Sequence, residues 1–86
     1  MTREEIIEAV NAAFEDMEIP AEELTPEKEF FKDLGLDSLD MVELMINLQR
    51  KFGVQLRQNE EIKKVRTLND IYDFFEKLDA ENSKGN

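Results

Sequence analysis

The 86-residue chain contains neither cysteine nor histidine. Those absences remove disulfides, thiolate metal sites, a cysteine nucleophile and any histidine-based catalytic triad. Without cysteines, nothing points to an oxidising compartment. No apolar run approaches the roughly 20 residues of a membrane span, and the N-terminus shows no signal-peptide pattern, so a soluble cytoplasmic protein is expected. Basic residues are scarce in the first part. Residues 1–49 hold 14 acidic and 3 basic side chains, a net of −11, and residues 50–86 hold 7 and 8, a net of +1, which together give the chain's −10. Nucleic acid is a poor partner for such a chain, because a polyanion needs lysines and arginines to displace its counterions. A basic protein surface suits it better, since opposite fields speed encounter. Solubility alone is the plainer account of the acid. Its confinement to one part of the chain argues for a directed surface.

What is present is helical patterning. From Thr2 to Glu18, residues Ile6, Ile7, Val10, Phe14 and Met17 recur at close to 3.6-residue spacing, which predicts an amphipathic helix. Thr2 and Glu5 fit a capping box, and Pro20 stops the pattern. Residues 19–36 form a long connection. Thr25-Pro26 predicts a short helical turn, and Phe30, Phe31, Leu34 and Leu36 serve as apolar anchors. The central helix runs from Ser38 to Phe52. On a wheel of about 100° per residue, Met41, Leu44, Met45, Leu48 and Phe52 share one face. Leu39, Val42 and Ile46 form a second apolar strip beside the polar face of Asp40, Glu43, Asn47, Arg50 and Lys51. Such a helix either lies centrally in a bundle or binds something along its flank. Gly53 supplies the residue after the helix that tolerates positive φ. Residues 55–66 predict loop with one short helix, anchored by Leu56, Ile62 and Val65. A last helix spans Leu68 to Leu78, capped by Thr67 with Asp70 three residues on. Its buried stripe is Leu68, Ile71, Tyr72, Phe75 and Leu78. Residues 1–78 are expected to form one domain, and Asp79–Asn86 a disordered tail. The fold class is all-α: a four-helix bundle of three main helices and one short one, with a long loop between helices 1 and 2.

Chemistry concentrates at the junction Asp33-Leu34-Gly35-Leu36-Asp37-Ser38-Leu39-Asp40, where three carboxylates surround one serine. Gly35 can take a backbone conformation closed to other residues. Judged alone, Asp37-Ser38 is a helix cap, with either residue at the cap position. A triad serine is excluded by the missing histidine. Asp33, Asp37 and Asp40 have the chemistry of a hard-cation site but not the spacing of an EF-hand loop, so no resident metal is expected.

The run continues through Met41-Val42-Glu43-Leu44 to Phe52-Gly53, and at this length it closely resembles the phosphopantetheine attachment region of acyl carrier proteins. The likeness extends to the order of elements over residues 3–78. It implies that Ser38 is the serine esterified to 4′-phosphopantetheine by a separate transferase using coenzyme A, with Mg²⁺ needed only for that attachment. It implies a carrier of acyl thioesters that is not itself an enzyme. It implies that Asp37, Leu39, Asp40, Glu43 and Ile46 are read by basic partner enzymes, both the transferase and acyl-transfer or synthase enzymes. The wide apolar face, through Met41, Leu44, Met45 and Leu48, would border a cleft for the acyl chain. Plain core packing is the alternative for each of those four. A monomer is expected, without nucleic-acid or membrane partners.

The chain departs from the housekeeping fatty-acid carriers beyond Glu43. The central helix ends Asn47-Leu48-Gln49-Arg50-Lys51 where those carriers are usually acidic, and Arg57, Lys63, Lys64 and Arg66 make the C-terminal half locally basic. The resemblance therefore covers fatty-acid biosynthesis or a related specialised acyl or polyketide pathway. Two alternatives stand beside it: an aminoacyl or peptidyl carrier, and a helical interaction module without a prosthetic group.

Overall fold

The computed structural model describes residues 1–54, 62 and 64–84. Among these the chain forms three α-helices, α1 (Arg3–Glu15), α2 (Ser38–Phe52) and α3 (Leu68–Lys84), with one 3₁₀ turn at Ala21–Glu23 and no strand. The all-α architecture is as expected. Of residues 55–66, where a short helix is expected, 55–61 and 63, with Leu56, Arg57 and Lys63, lie outside the described residues; the expected anchors Ile62 and Val65 are half-buried against the core.

Each helix begins where its capping residues dictate. Thr2 Oγ1 accepts the amide of Glu5 at 3.2 Å, and the Glu5 carboxylate accepts the amide of Thr2 at 2.8 Å. The same reciprocal arrangement opens α3, where Thr67 Oγ1 accepts from Asp70 N at 3.1 Å and Asp70 accepts from Thr67 N at 3.2 Å. These bonds satisfy amides that have no partner within the helix.

The helix ends depart from expectation in two places. α1 stops at Glu15, not at Glu18. Ile19 N donates to Phe14 O at 3.1 Å and Glu18 N to Glu15 O at 2.9 Å, a paired closure of the Schellman type. It turns on Glu18, whose φ of 66° is left-handed. α3 continues past Leu78 to Lys84, so the tail expected to be disordered from Asp79 is helical through Lys84. The segment is polar, but it has no glycine or proline before Gly85, and Ala80, Glu81 and Lys84 favour helix.

Packing puts α1, not α2, at the centre of the bundle, which leaves the binding flank as the reading of α2's second apolar strip. α1 is the helix whose backbone approaches both α2 and α3. It buries Ile6, Val10, Ala13 and Phe14. α2 and α3 meet through large side chains, above all Phe52 and Phe75, whose rings stack with centroids 3.9 Å apart at 8°. On its polar side α1 is clasped to α3. Arg3 donates to Asp73 at 2.8 Å, Glu76 at 2.6 Å and Asn69 at 2.8 Å. Its guanidinium also lies 5.8 Å from the Tyr72 ring centre, and Tyr72 donates its hydroxyl to Asn11 at 3.1 Å.

The long connection is ordered by the same core. Leu24, Phe30 and Leu36 are buried and Leu34 is half-buried, but Phe31, expected as an anchor, is 57% exposed. Thr25 opens a single turn closed by Lys28 N on Thr25 O at 3.1 Å, and the 3₁₀ turn forms earlier, at Ala21–Glu23. Backbone bonds then stitch the connection to the start of α3: Phe30 N to Arg66 O at 3.0 Å, Leu68 N to Lys28 O at 3.2 Å and Asn69 N to Pro26 O at 2.9 Å. This holds the N-terminal end of α2 beside that of α3.

Candidate functional site

The junction before α2 is a hydrogen-bonded turn that presents one serine. Asp33 N and Leu34 N both donate to Glu29 O, at 3.0 and 3.1 Å, and Glu29 N donates to the Asp33 carboxylate at 2.8 Å. Gly35 follows at φ 69°, and a Cβ there would meet nothing within 4 Å, so glycine is needed for its conformation and not for space. Leu36 then drops into the core and its amide donates to Phe30 O at 3.0 Å.

Asp37 is the N-cap and Ser38 the first helical residue. The Asp37 carboxylate accepts from Asp40 N at 2.8 Å and the Asp40 carboxylate accepts from Asp37 N at 3.1 Å. A reciprocal box needs an acid three residues on, which Asp37 has and Ser38, facing Met41, does not. The cap is therefore made by aspartates on both sides of the serine. Ser38 is exposed. The carboxylates of Asp33, Asp37 and Asp40 are each engaged with a backbone amide of their own turn.

The flank of α2 divides as its sequence pattern suggests. Leu44 and Leu48 are fully buried, and Met41, Met45 and Phe52 are half-buried against the core. Leu39 is 79% exposed, Val42 57% and Ile46 44%. Asp37 and Glu43 are exposed beside them and Asp40 is half-buried. Val42 belongs to this exposed strip as fully as its neighbours. It was absent from the expected partner-reading set, although its place on the second apolar strip marked it. The strip ends at Asn47, which turns inward and donates to Ala13 O at 3.3 Å.

Among the described residues, the basic side chains of this half lie at both ends of α2. Arg50 and Lys51 sit in the last turn of α2, where cations suit the helix dipole, and Lys51 pairs with Asp16 at 3.4 Å. Lys64 and Arg66 are exposed. Arg66 lies by Phe30, at the opposite end of α2.

The junction thus places an exposed serine at a helix start beside an acidic and apolar flank. Residues 6–75 match the family described as "Phosphopantetheine attachment site". The chain is 39% identical over 83 residues to the meromycolate extension acyl carrier protein of Mycobacterium leprae (strain TN), covering 95% of this chain and 71% of that protein. It is 44% identical over 72 residues to the acyl carrier protein of Helicobacter pylori (strain G27), covering 84% and 88%. It is 41% identical over 75 residues to that of Thermosynechococcus vestitus, covering 86% and 91%. The chain belongs to the acyl carrier protein family, whose members hold acyl groups on a covalently attached phosphopantetheine.

Proposed function

We propose that Ser38 carries the 4′-phosphopantetheine and that the protein is a non-catalytic shuttle for acyl thioesters. The observation that carries this reading is the exposed Ser38 at the first helical position, with both flanking carboxylates already taken up by the cap. In attachment, the Ser38 oxygen forms a bond to the phosphorus bearing pantetheine in coenzyme A. The pyrophosphate bond breaks, 3′,5′-ADP leaves, and the hydroxyl proton passes to a base of the transferase. The residues present fit the group. The Asp40 amide is used by Asp37, so the amides of Ser38 and Leu39 are the ones that face an anion at this helix start. Asp37 and Asp40 oppose that anion, and their contribution is to recruit the transferase and its Mg²⁺.

The exposed strip of Leu39, Val42 and Ile46, rimmed by Asp37, Asp40 and Glu43, supports docking to basic enzymes with an apolar centre. Met41, Leu44, Met45 and Leu48 line the side of α2 that shelters the acyl chain, with the two half-buried methionines able to move aside. Arg50 and Lys51 confine the acidic face to the first turns of α2, which favours a specialised acyl pathway over the housekeeping one. The acyl reading, rather than an aminoacyl one, rests on the names of the relatives and on the acid at Asp37–Glu43. No helix among the described residues is long and apolar enough to cross a membrane, and the action of a transferase on coenzyme A suits the cytoplasm. The test is donor choice. Loading enzymes supplied with malonyl and with aminoacyl donors are expected to charge the holo protein with the malonyl group; exclusive aminoacyl charging would reverse the reading.

A further inference from the structure

The exposed side of α2 is one continuous face with one exception. On a wheel of about 100° per residue with Ser38 at zero, the exposed residues Ser38, Leu39, Val42, Glu43, Ile46 and Arg50 all fall between about 0° and 140°. Lys51 is exposed too, but stands at about 220°. That side of the helix belongs to α1. Asn47, at about 180°, donates to Ala13 O at 3.3 Å, and Lys51 pairs with Asp16 at 3.4 Å. Two cations that are neighbours in sequence therefore have different places. Lys51 ties α2 to α1. Arg50, at about 120°, stands on the flank in line with Leu39 and Glu43. Glu43 and Arg50 are about 10 Å apart along the axis, at roughly 1.5 Å per residue. A cation in the last turn suits the helix dipole whichever way it points. The dipole accounts for Arg50 in that turn, not for the face it occupies.

We propose that Arg50 is a specificity-determining residue of the docking flank, selecting enzymes whose docking groove ends in a carboxylate. The inference rests on the docking reading of α2 given above and adds the partner's chemistry at the far end. The flank is ordered along the helix: Asp37 and Glu43 lie toward Ser38, Leu39, Val42 and Ile46 form the apolar middle, and Arg50 comes last. A complementary groove has a cation facing Glu43, an apolar seat, and an aspartate or glutamate about 10 Å beyond that cation. A guanidinium is planar and binds a carboxylate through two parallel hydrogen bonds, which suits arginine for reading an acid across an interface. A groove that is basic throughout sets like charge against Arg50, and like charges across an interface suppress the wrong partner. The spacing of Glu43 and Arg50 is about one Debye length at 0.1 M salt, so a partner meets two fields of opposite sign, not their average.

The test uses the holo protein with a malonyl-loading enzyme whose docking groove is basic throughout, and with a variant of that enzyme in which the cation at the far end of the groove is replaced by glutamate. The KM for the carrier is measured with both enzymes for the wild type, Arg50→Glu and Lys51→Glu. The wild type is expected to show the lower KM with the glutamate-ended enzyme, by about two- to fivefold, the range for one exposed charge pair, with kcat unchanged. Arg50→Glu should reverse that preference. Lys51→Glu makes the same change in net charge away from the flank and should keep the wild-type preference. Equal KM values for the two enzymes in the wild type overturn the inference, as does a preference that Arg50→Glu and Lys51→Glu alter equally. Glu43→Lys separates this inference from the reading beneath it. A KM raised with both enzymes upholds docking along α2, so that a failure at Arg50 is a failure of the far end alone. A KM unchanged with both enzymes overturns the docking reading and the inference with it.

Discussion

Single residues decide more here than their chemistry alone suggests. Glu18 is the clearest case. It occupies a left-handed backbone position at the end of α1 that glycine normally fills, at a cost of about 1–2 kcal/mol for a residue with a Cβ. Nothing in the helical pattern marked that turn, because Met17 and Pro20 carry the apolar and breaker signals on either side. Glu18→Gly is expected to stabilise the protein by about 0.5–1 kcal/mol in urea unfolding, the strain relief being partly offset by glycine's greater freedom when unfolded. At the other end of the site, Asp37 and Ser38 are both cap residues by type. The tie was resolvable from the sequence, since only Asp37 has an acid three residues on. Asp37→Ala should cost about 1 kcal/mol, within the range for loss of a cap, while Ser38→Ala leaves the melting temperature nearly unchanged. Phe30 and Phe31 show the opposite situation. A loop has no period, so neighbouring aromatics cannot be assigned inward or outward from their order. Phe30 is fully buried and Phe31 is not. Phe30→Ala is expected to cost about 3–5 kcal/mol, a large part of a small domain's stability, and Phe31→Ala less than about 0.5 kcal/mol, both by denaturant titration.

Among the elements, the starts of helices were more legible than their ends or their neighbours. Capping boxes are local and reciprocal, so Thr2–Glu5 and Thr67–Asp70 can be read directly. Polarity alone does not mark the extension of α3 through Lys84, where helix formers without a breaker continue a helix that packing has already nucleated. The apolar width of α2 implied either a central place or a binding flank. The second is what the exposed Leu39, Val42 and Ile46 present, while α1 takes the centre. The α1 start also sets an acid limit on stability. The Glu5 carboxylate is held below its ordinary pKa, first by the Thr2 amide and then by the Thr2 hydroxyl. A lowered folded pKa contributes stability that is present above the unfolded value and lost as pH falls through the folded one. Glu5→Gln should therefore destabilise the protein near neutrality, and the gap between variant and wild type should close on acidification below the ordinary carboxylate range. A gap that stays constant with pH would show that the charge of Glu5 does not matter.

For the whole molecule, charge is the organising quantity. The net of −11 over residues 1–49 lies on α1, the connection and the first turns of α2, where Asp16 pairs with Lys51. Mutual repulsion lowers the stability of the compact state, and salt screens it over about 10 Å at 0.1 M. The melting temperature is expected to rise between low and moderate salt, and further with a divalent cation. A fall would mean that the clasp of Arg3 on Asp73 and Glu76 outweighs the repulsion. We propose that the same acid, placed beside the exposed Ser38 at the start of α2, serves the carrier function. That claim is tested most directly by intact mass. The wild-type protein and Ser38→Ala are each incubated with coenzyme A, Mg²⁺ and a broad-specificity phosphopantetheinyl transferase. The wild type should gain the mass of one phosphopantetheinyl group and Ser38→Ala none. An unmodified wild type, or a modified Ser38→Ala, would contradict the assignment of Ser38.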